Sequence, residues 1–342
     1  MSHRHFAVCN KKLLLFVVLF LSSSTGSSWA QEGSLEKVTL AYPARSLSVL
    51  HILVAQEKGF YKKHGLNVEA IQIRPAVTVA SLLSREVQYI SLLGSAVRVA
   101  LKGAPIKVVL VSLTAPFFSF VARSNIHTLQ ELKGKEIGLT GNPGATNDQL
   151  ARLILRQAGL DPQRDVKLLY VGDPPVLYSA FKGGRFAAIS VSLPFPVVAE
   201  KEGFRILVNA AESIRLPFIG LSVMEEKLSS SREQIKKMIN ADVEARRFIK
   251  QEKEATINLM MRWFGLSRSA ALRSYELVLP AISQDFTIDR DGIQRLIDME
   301  IERGETLKIT SADQISDSRL LAEAEGSSFS VPSEWTKKSP GK

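Results

Sequence analysis

The sequence predicts an α/β protein of two lobes with a ligand cleft between them, and three observations lead there. From Lys37 onward, short apolar runs alternate with helical segments of about ten to fifteen residues, the pattern of βα units that feed a parallel sheet. Two apolar extended stretches, Ala115-Pro-Phe-Phe-Ser-Phe-Val121 and Leu216-Pro-Phe-Ile-Gly-Leu-Ser-Val-Met224, flank a self-contained block of such units. The block therefore reads as an insertion joined by a pair of strands, and a two-strand joint is a hinge. Within the block, Gly138-Leu-Thr-Gly-Asn-Pro-Gly-Ala-Thr146 forms a glycine-rich turn between an apolar strand and an amphipathic helix. Backbone N–H groups freed by such a turn can hold a small polar or anionic ligand.

Taken in order, Lys37 to Ala41 is a strand, Ser48 to His64 a helix with Val49, Ile52, Leu53 and Phe60 on its apolar side, and Val68 to Ile73 a second strand. Ala76 to Arg85 is helical, Gln88 to Ser91 a short strand, Ser95 to Leu101 a helix and Ile106 to Leu113 a strong strand. The inserted block repeats the scheme: Leu129 to Lys133 helical, Glu136 to Leu139 strand, Thr146 to Ala158 helix, Val166 to Tyr170 strand. Pro174 to Lys182, Ala187 to Val191, Pro194 to Glu202 and Arg205 to Val208 complete it as helix, strand, helix and strand. Thr146 or Asn147 can cap the helix after the glycine-rich turn. Beyond Met224 the pattern changes to long charged amphipathic helices, over Ser231 to Gln251, Glu254 to Phe264, Ser269 to Leu277 and Asp291 to Arg303, with a last short helix over Ile315 to Ala324. These helices are expected to pack on the first lobe. The expected division is residues 36–118 with 220–325 for the first lobe and 119–219 for the second. The Ser-, Pro- and Lys-rich segment 326–342 is expected to be a disordered tail. A weak internal echo links the two halves: Ser84-Arg-Glu-Val-Gln-Tyr-Ile-Ser91 and Gly184-Arg-Phe-Ala-Ala-Ile-Ser190 each place a helix end and an Arg ahead of a short apolar strand.

The 342 residues, 45% hydrophobic and 23% charged, suffice for two lobes with substantial cores. Residues 1–30 read as a secretory signal: Arg4, Lys11 and Lys12 are the positive end, Leu13 to Leu21 the apolar run, and Ser28-Trp29-Ala30 the cleavage site. The expected location is therefore periplasmic or otherwise extracytoplasmic. The single cysteine, Cys9, precedes the apolar run, so the mature chain is expected to carry neither disulfide nor lipid. The formal charge of +10 is dispersed, without a basic cluster interleaved with aromatics, which argues against a nucleic-acid partner. Rossmann spacing fails at the glycine-rich turn, and no Lys follows Gly144 as a P-loop requires. His51, His64 and His127 are widely separated, which leaves no HExxH zinc pattern, and no Gly-x-Ser-x-Gly elbow surrounds a serine. Asp289-Arg-Asp-Gly292 resembles half of a calcium loop, but Thr287 and Asp298 stand where its first and last ligands belong, so it reads as a helix start. Arg246-Arg247 and Lys236-Lys237 read as exposed helix faces.

Three segments carry a family resemblance. Ala55-Gln-Glu-Lys-Gly-Phe-Tyr-Lys-Lys-His-Gly-Leu-Asn-Val-Glu69, Leu129-Gln-Glu-Leu-Lys-Gly-Lys-Glu-Ile-Gly138 with the glycine-rich turn, and Gly183-Gly-Arg-Phe-Ala-Ala-Ile-Ser190 are similar to landmarks of the NMT1/SsuA-like solute-binding proteins. These are periplasmic receptors of ABC importers for sulfonates, taurine, nitrate and thiamine-precursor pyrimidines. The likeness runs from about Val38 to Ala324. It implies a type II periplasmic-binding-protein fold with two crossover strands, a monomer that closes on a small solute, no cofactor, and a membrane permease with its ATPase as partners. The alternatives of other classes are an enzyme, because the family includes relatives that make the thiamine pyrimidine, and a ligand-sensing domain. Those enzymes carry a cysteine-rich iron motif, which this chain lacks after Cys9.

In open α/β sheets ligands lie beyond the carboxyl ends of the strands, which nominates specific residues here. They are Tyr42, Arg45, Ser46 and Ser48 after the first strand, Gly94 and Ser95 after the third, and Thr114 and Phe117 at the first connector. In the inserted block they are Gly144, Ala145 and Thr146 of the glycine-rich turn, Asp173, and Ser190, Ser192 and Phe195. Hydroxyls and backbone N–H groups hold an anion or polar ring, while Tyr42, Phe117 and Phe195 supply an aromatic wall. Ser48 and Ser95 read equally as helix caps, Arg45 as a solvent-facing side chain, and Asp173 as an ordinary turn residue before Pro174.

Overall fold

Strand β1 (Glu36–Tyr42) opens the first of two five-stranded sheets in the computed structural model, which describes residues 34–283 and 288–326. Val38, Leu40 and Ala41 bury its apolar side chains, and it runs parallel to β2 (Leu66–Gln72) with Glu36 opposite Leu66 and Tyr42 opposite Gln72. Between them lie α1 (Leu50–Glu57) and α2 (Phe60–Lys63), where one continuous helix is predicted. The break falls at Gly59, whose left-handed φ of 71° is open to glycine without a side-chain penalty. The units continue through α3 (Pro75–Leu83), β3 (Tyr89–Leu92), α4 (Leu93–Leu101) and β4 (Ile106–Leu113).

The chain then enters the second sheet with β5 (Phe118–Ala122) and builds β6 (Glu136–Leu139), α5 (Thr146–Gln157), β7 (Lys167–Tyr170), α6 (Pro174–Lys182), β8 (Ala188–Ser192), α7 (Phe195–Lys201) and β9 (Arg205–Asn209). It returns through α8 (Ala210–Ser213) into β10 (Ile219–Met224), which inserts antiparallel between β3 and β4. The strand orders are β2-β1-β3-β10-β4 and β7-β6-β8-β5-β9, so β10 and β5 hold equivalent places. Each sheet thus receives one antiparallel strand directly after the chain crosses from the other. Most of each predicted connector is therefore sheet strand, and the crossings themselves are residues 114–117 and 210–218. They lie side by side, Leu216 N–H donating to Thr114 O and Phe218 N–H to Leu113 O, each at 2.9 Å. Within β10, Gly220 lies so near the neighbouring strand that a Cβ there would stand 1.9 Å from Leu110 O, which explains a glycine in a central strand.

The remaining helices are α9 (Lys227–Ser230), α10 (Arg232–Gln251), α11 (Lys253–Phe264), α12 (Arg268–Val278), α13 (Arg290–Glu302), α14 (Ala312–Ile315) and α15 (Arg319–Gly326). Of these, α10 packs against α1, α2 and α15 and α13 against α4, on the first sheet's units, while α12 also meets α7 of the second. The single helix predicted over Ile315 to Ala324 is divided because Asp317 N–H donates to Val108 O of β4 at 2.9 Å, and its carboxylate accepts from the Arg319 N–H where α15 starts. Asp289 caps α13 through the Gly292 N–H at 2.8 Å, in line with the helix-start reading. The signal read over residues 1–30, the position Thr287 and the tail beyond Gly326 lie outside the described residues.

Arg246 corrects the reading of Arg246-Arg247 as an exposed face: it is 1% exposed, because α10 is covered by α1, α2 and α15 as well as by β4. One turn earlier, Asp242 accepts from Arg246 Nε at 2.6 Å and from Ser112 Oγ at 3.0 Å, with His51 Nε2 3.4 Å away. Burial lowers the His51 pKa below its ordinary value; Asp242 opposes that and Arg246 reinforces it. In the unfolded chain His51 takes up a proton near pH 6.5, whereas in the native state it stays neutral to lower pH. Its contribution to stability is therefore present above pH 6.5 and lost as pH falls. Between pH 7 and 5.5 the folded protein is expected to lose stability that His51→Gln does not lose, measured by urea denaturation. An equal loss in both proteins would contradict this.

Candidate functional site

One cleft takes its walls from both sheets, and the loops that follow the strands supply most of them. Pro43, Ala44, Ser46 and Ser48 come from the loop after β1, Pro75 from the start of α3, and Leu92 and Ser95 from the β3–α4 junction. From the other side come Thr140, Gly141, Ala145, Thr146 and Asn147 after β6, Gly172, Asp173 and Pro174 after β7, and Ser192 at the end of β8. The walls stand close together, and the free space between them is about 60 Å³. Phe118, at the start of β5, and Phe218, at the end of the second crossing, meet edge to face in the lining at 5.4 Å between centroids and 73° between planes.

Of the nominated residues, Ser46, Ser48, Ser95, Ala145, Thr146, Asp173 and Ser192 line the cleft. Ser46 Oγ and Ser48 Oγ are 2.7 Å apart, and Ser46 rather than Ser48 caps the short 3₁₀ turn Leu47–Val49. Ser95 is no cap, because α4 already begins at Leu93. The cap proposed at Thr146 or Asn147 is also replaced: Ala145 is the N-cap of α5 and no side chain caps it. Asn147 turns its amide to Thr140 Oγ1 and Ser190 O, each at 3.0 Å, and accepts from Ser190 Oγ at 2.6 Å. Ser190 thus holds Asn147 and lies behind the lining.

The other nominated residues stand elsewhere. Phe117 is 1% exposed and belongs to the core beneath the first sheet, while its neighbour Phe118 faces the cleft. Side chains alternate along a strand, so a choice one residue out selects the wrong face. Tyr42 packs against the same core, and Phe195 packs on Tyr178 at 5.4 Å. Arg45 does not line the cleft, because its guanidinium donates to Trp263 O at 2.8 Å at the end of α11. Thr114 is held at the crossing by Ala281 O, which accepts its N–H at 2.9 Å. Gly144, at φ 80°, donates its N–H to Asp148 Oδ2 at 2.7 Å on the outer side of the loop. Gly94 lies where α4 meets α5: a Cβ on it would stand 2.6 Å from Thr146 Oγ1.

Several hydrogen bonds join the halves around the cleft. Gln72 Nε2 donates to Asp173 Oδ2 at 2.9 Å, Leu47 N–H to Leu193 O at 3.0 Å, Gln149 Nε2 to Glu300 Oε1 at 2.8 Å, and Lys201 Nζ to Ser267 Oγ at 3.0 Å. Among the described residues Asp173 is the one ionisable residue in the lining, so the polar complement there is mainly hydroxyls, the Asn147 amide and backbone groups at the first turns of α4 and α5. Sequence reasoning did not single out Phe118 or Phe218; Asn147, just past the glycine-rich turn, was read as a possible cap, and only its tertiary partners show what it holds.

Two α/β sheets of matching strand order, two crossings and a cleft between facing strand ends define the fold of the periplasmic solute-binding proteins. Residues 47–255 match the family described as NMT1/THI5 like, and the chain belongs to that family. Among sequence relatives, a putative binding protein of Bacillus subtilis (strain 168), YtlA, is 27% identical over 228 residues, covering 64% of this chain and 68% of YtlA. Solved structures of other proteins share the fold. The nitrate-binding protein NrtA of Synechocystis PCC 6803 has a TM-score of 0.72 at 16% identity, over 90% of this chain and 92% of its own. The alkanesulfonate-binding protein SsuA of Xanthomonas axonopodis pv. citri, bound to MOPS, has a TM-score of 0.68 at 16% identity, over 84% and 97%. A desulfurization enzyme, DszB, also has this fold, with a TM-score of 0.63 at 14% identity over 85% and 99%.

Proposed function

We propose that the chain is the extracytoplasmic receptor of an ABC importer and that it captures a small organic solute by closing two lobes over it. Residues 36–118 with 220–325 form one lobe in this reading and residues 119–219 the other, swinging on the paired crossings. The observation that carries it is the cleft, lined from both sides by serine and threonine hydroxyls and bridged at its edges by hydrogen bonds between the halves. A solute that touches both walls stabilises only the closed arrangement, which is how closure becomes affinity. Phe118, Phe218, Leu92 and the three prolines offer an apolar body more contact than a bare inorganic anion could use, which favours a sulfonate- or pyrimidine-type molecule over nitrate. The N-terminal pattern of positive residues, apolar run and Ser28-Trp29-Ala30 supports export. No described helix is long and apolar enough to cross a membrane, so a permease is the expected membrane partner.

Native mass spectrometry of gently purified protein is expected to show one co-purifying small molecule, whose return to stripped protein raises the melting temperature without turnover. Product formation from that molecule would instead support the enzyme reading, for which the shared fold with DszB is the precedent. Protein that carries no adduct and gains no stability from a panel of alkanesulfonates and aminopyrimidines would count against the receptor.

A further inference from the structure

Glu300, on α13 and outside the cleft, is a buried carboxylate, with its side chain 5% exposed. Its Oε1 accepts from Arg98 Nε at 3.0 Å and from Gln149 Nε2 at 2.8 Å, and its Oε2 from Arg303 Nη1 at 3.2 Å. Arg98 lies one turn after Gly94 on α4, and Gln149 one turn after Ala145 on α5, to whose carbonyl its own N–H is bonded at 3.0 Å. The two helices whose first turns face each other across the cleft thus converge on one carboxylate behind it. Beside Gln149, Leu150 is 1% exposed and packs into the core of the first sheet's lobe, so the polar bond is reinforced by an apolar contact at the same junction.

We propose that Glu300 is a positioning residue for closure: it holds α5 of the inserted lobe against α4 through the amide of Gln149, and so sets how much of the time the cleft is shut. This rests on the two-lobed receptor proposed above. The partition of charge suits a reversible contact. Both guanidinium partners, Arg98 and Arg303, belong to the same lobe as Glu300 and stay with it when the lobes part. The partner that leaves is a neutral amide, so opening strands no buried charge, whereas a charged partner across the junction would make separation costly. Gln149 itself is only half-buried, so water can satisfy its amide in the open form.

The test uses the full chain carrying Cys9→Ser, Gln72→Cys and Asp173→Cys, which places two thiols where a hydrogen bond of 2.9 Å now spans the cleft mouth. The rate at which a short bis-maleimide joins them reports the closed population even where that population is small. Gln149→Glu, which sets a second carboxylate against Glu300, is expected to slow cross-linking about tenfold. Melting temperature and the labelling rate of each single thiol should stay unchanged. Adding Glu300→Gln, which restores an amide–carboxylate pair with the roles exchanged, is expected to bring the rate back to within about threefold of the parent. If Gln149→Glu lowers the melting temperature, Gln149→Ala replaces it, with an expected slowing of about threefold. Gly94→Ala separates two kinds of failure. If it slows cross-linking while the Gln149 variants do not, the lobes close but Glu300 does not govern closure. If none of them changes the rate, the lobes do not swing and the receptor reading falls as well.

Discussion

Asp242→Ala is expected to remove about 3 to 5 kcal/mol of folding stability, the range for breaking a buried ion pair from one side. The carboxylate is 3% exposed and is shared by Arg246 Nε at 2.6 Å, Ser112 Oγ at 3.0 Å and His51 at 3.4 Å. Its loss takes away the carboxylate that accepts from Arg246 Nε, a side chain itself 1% exposed between α10 and the first sheet. Both side chains are buried, and a tightly packed interior resists the swing that would take the guanidinium out to water. Against a typical total of about 5 to 15 kcal/mol, such a loss brings the protein to the edge of unfolding. Replacing the pair together, by Asp242→Leu with Arg246→Met, is expected to recover most of it, since apolar residues of similar volume often substitute for a buried pair. Urea denaturation reads both variants, and a single-mutant loss below about 1 kcal/mol would show that the charge is not held by Asp242.

Gly94→Ala is expected to lower solute affinity about tenfold without lowering the melting temperature, a separation that ordinary destabilisation does not produce. Gly94 is the second residue of α4 with an ordinary helical backbone, so alanine there favours the helix by about 0.5 to 1 kcal/mol. The added methyl would stand 2.6 Å from Thr146 Oγ1, so under the closure proposed above that hydroxyl must shift each time the lobes meet. The measurement is isothermal titration with the co-purifying solute. In a Thr146→Ala background, where the obstructing hydroxyl is gone, the same change is expected to cost less than about threefold, which makes the pair a double-mutant cycle across the cleft. Additive losses would place the effect of Gly94 elsewhere.

Much of the fold is legible in the sequence because it is written in local periodicity. The apolar runs Ile106 to Leu113 and Glu136 to Leu139 are strands with those very bounds, and Pro174 to Lys182 a helix with its bounds. The echo between segments 84–91 and 184–190 has a structural counterpart: Arg85 at φ 62° and Gly184 at φ 92° end α3 and α6, which hold equivalent places before β3 and β8. The serines of the cleft were accessible for a similar reason, since strand ends followed by small hydroxyl residues can be found without coordinates.

What the sequence concealed depends on register and on distant partners. Phe117 and Phe118 are equally apolar, and only the pairing of Phe118 with Ser192 decides which of them faces the cleft. Arg45 looks like a free cation until α11 brings Trp263 O to it from 218 positions away. Asn147 and Ser190, Gln72 and Asp173, and Gln149 and Glu300 are joined across separations of 43, 101 and 151 residues, and no local pattern encodes such pairs. Buried Arg246 escaped notice because a charged residue on a long amphipathic helix ordinarily faces water.

A crystal structure of the protein with its co-purifying solute retained tests the closing receptor most directly. The solute is expected between the Phe118–Phe218 pair and the first turns of α4 and α5, within hydrogen-bonding distance of Ser95 and Thr146, with Gln149 still bonded to Glu300. A solute seated outside that cleft, or an identical lobe arrangement in loaded and stripped crystals that fail to differ in affinity-linked compaction by small-angle scattering, would contradict it.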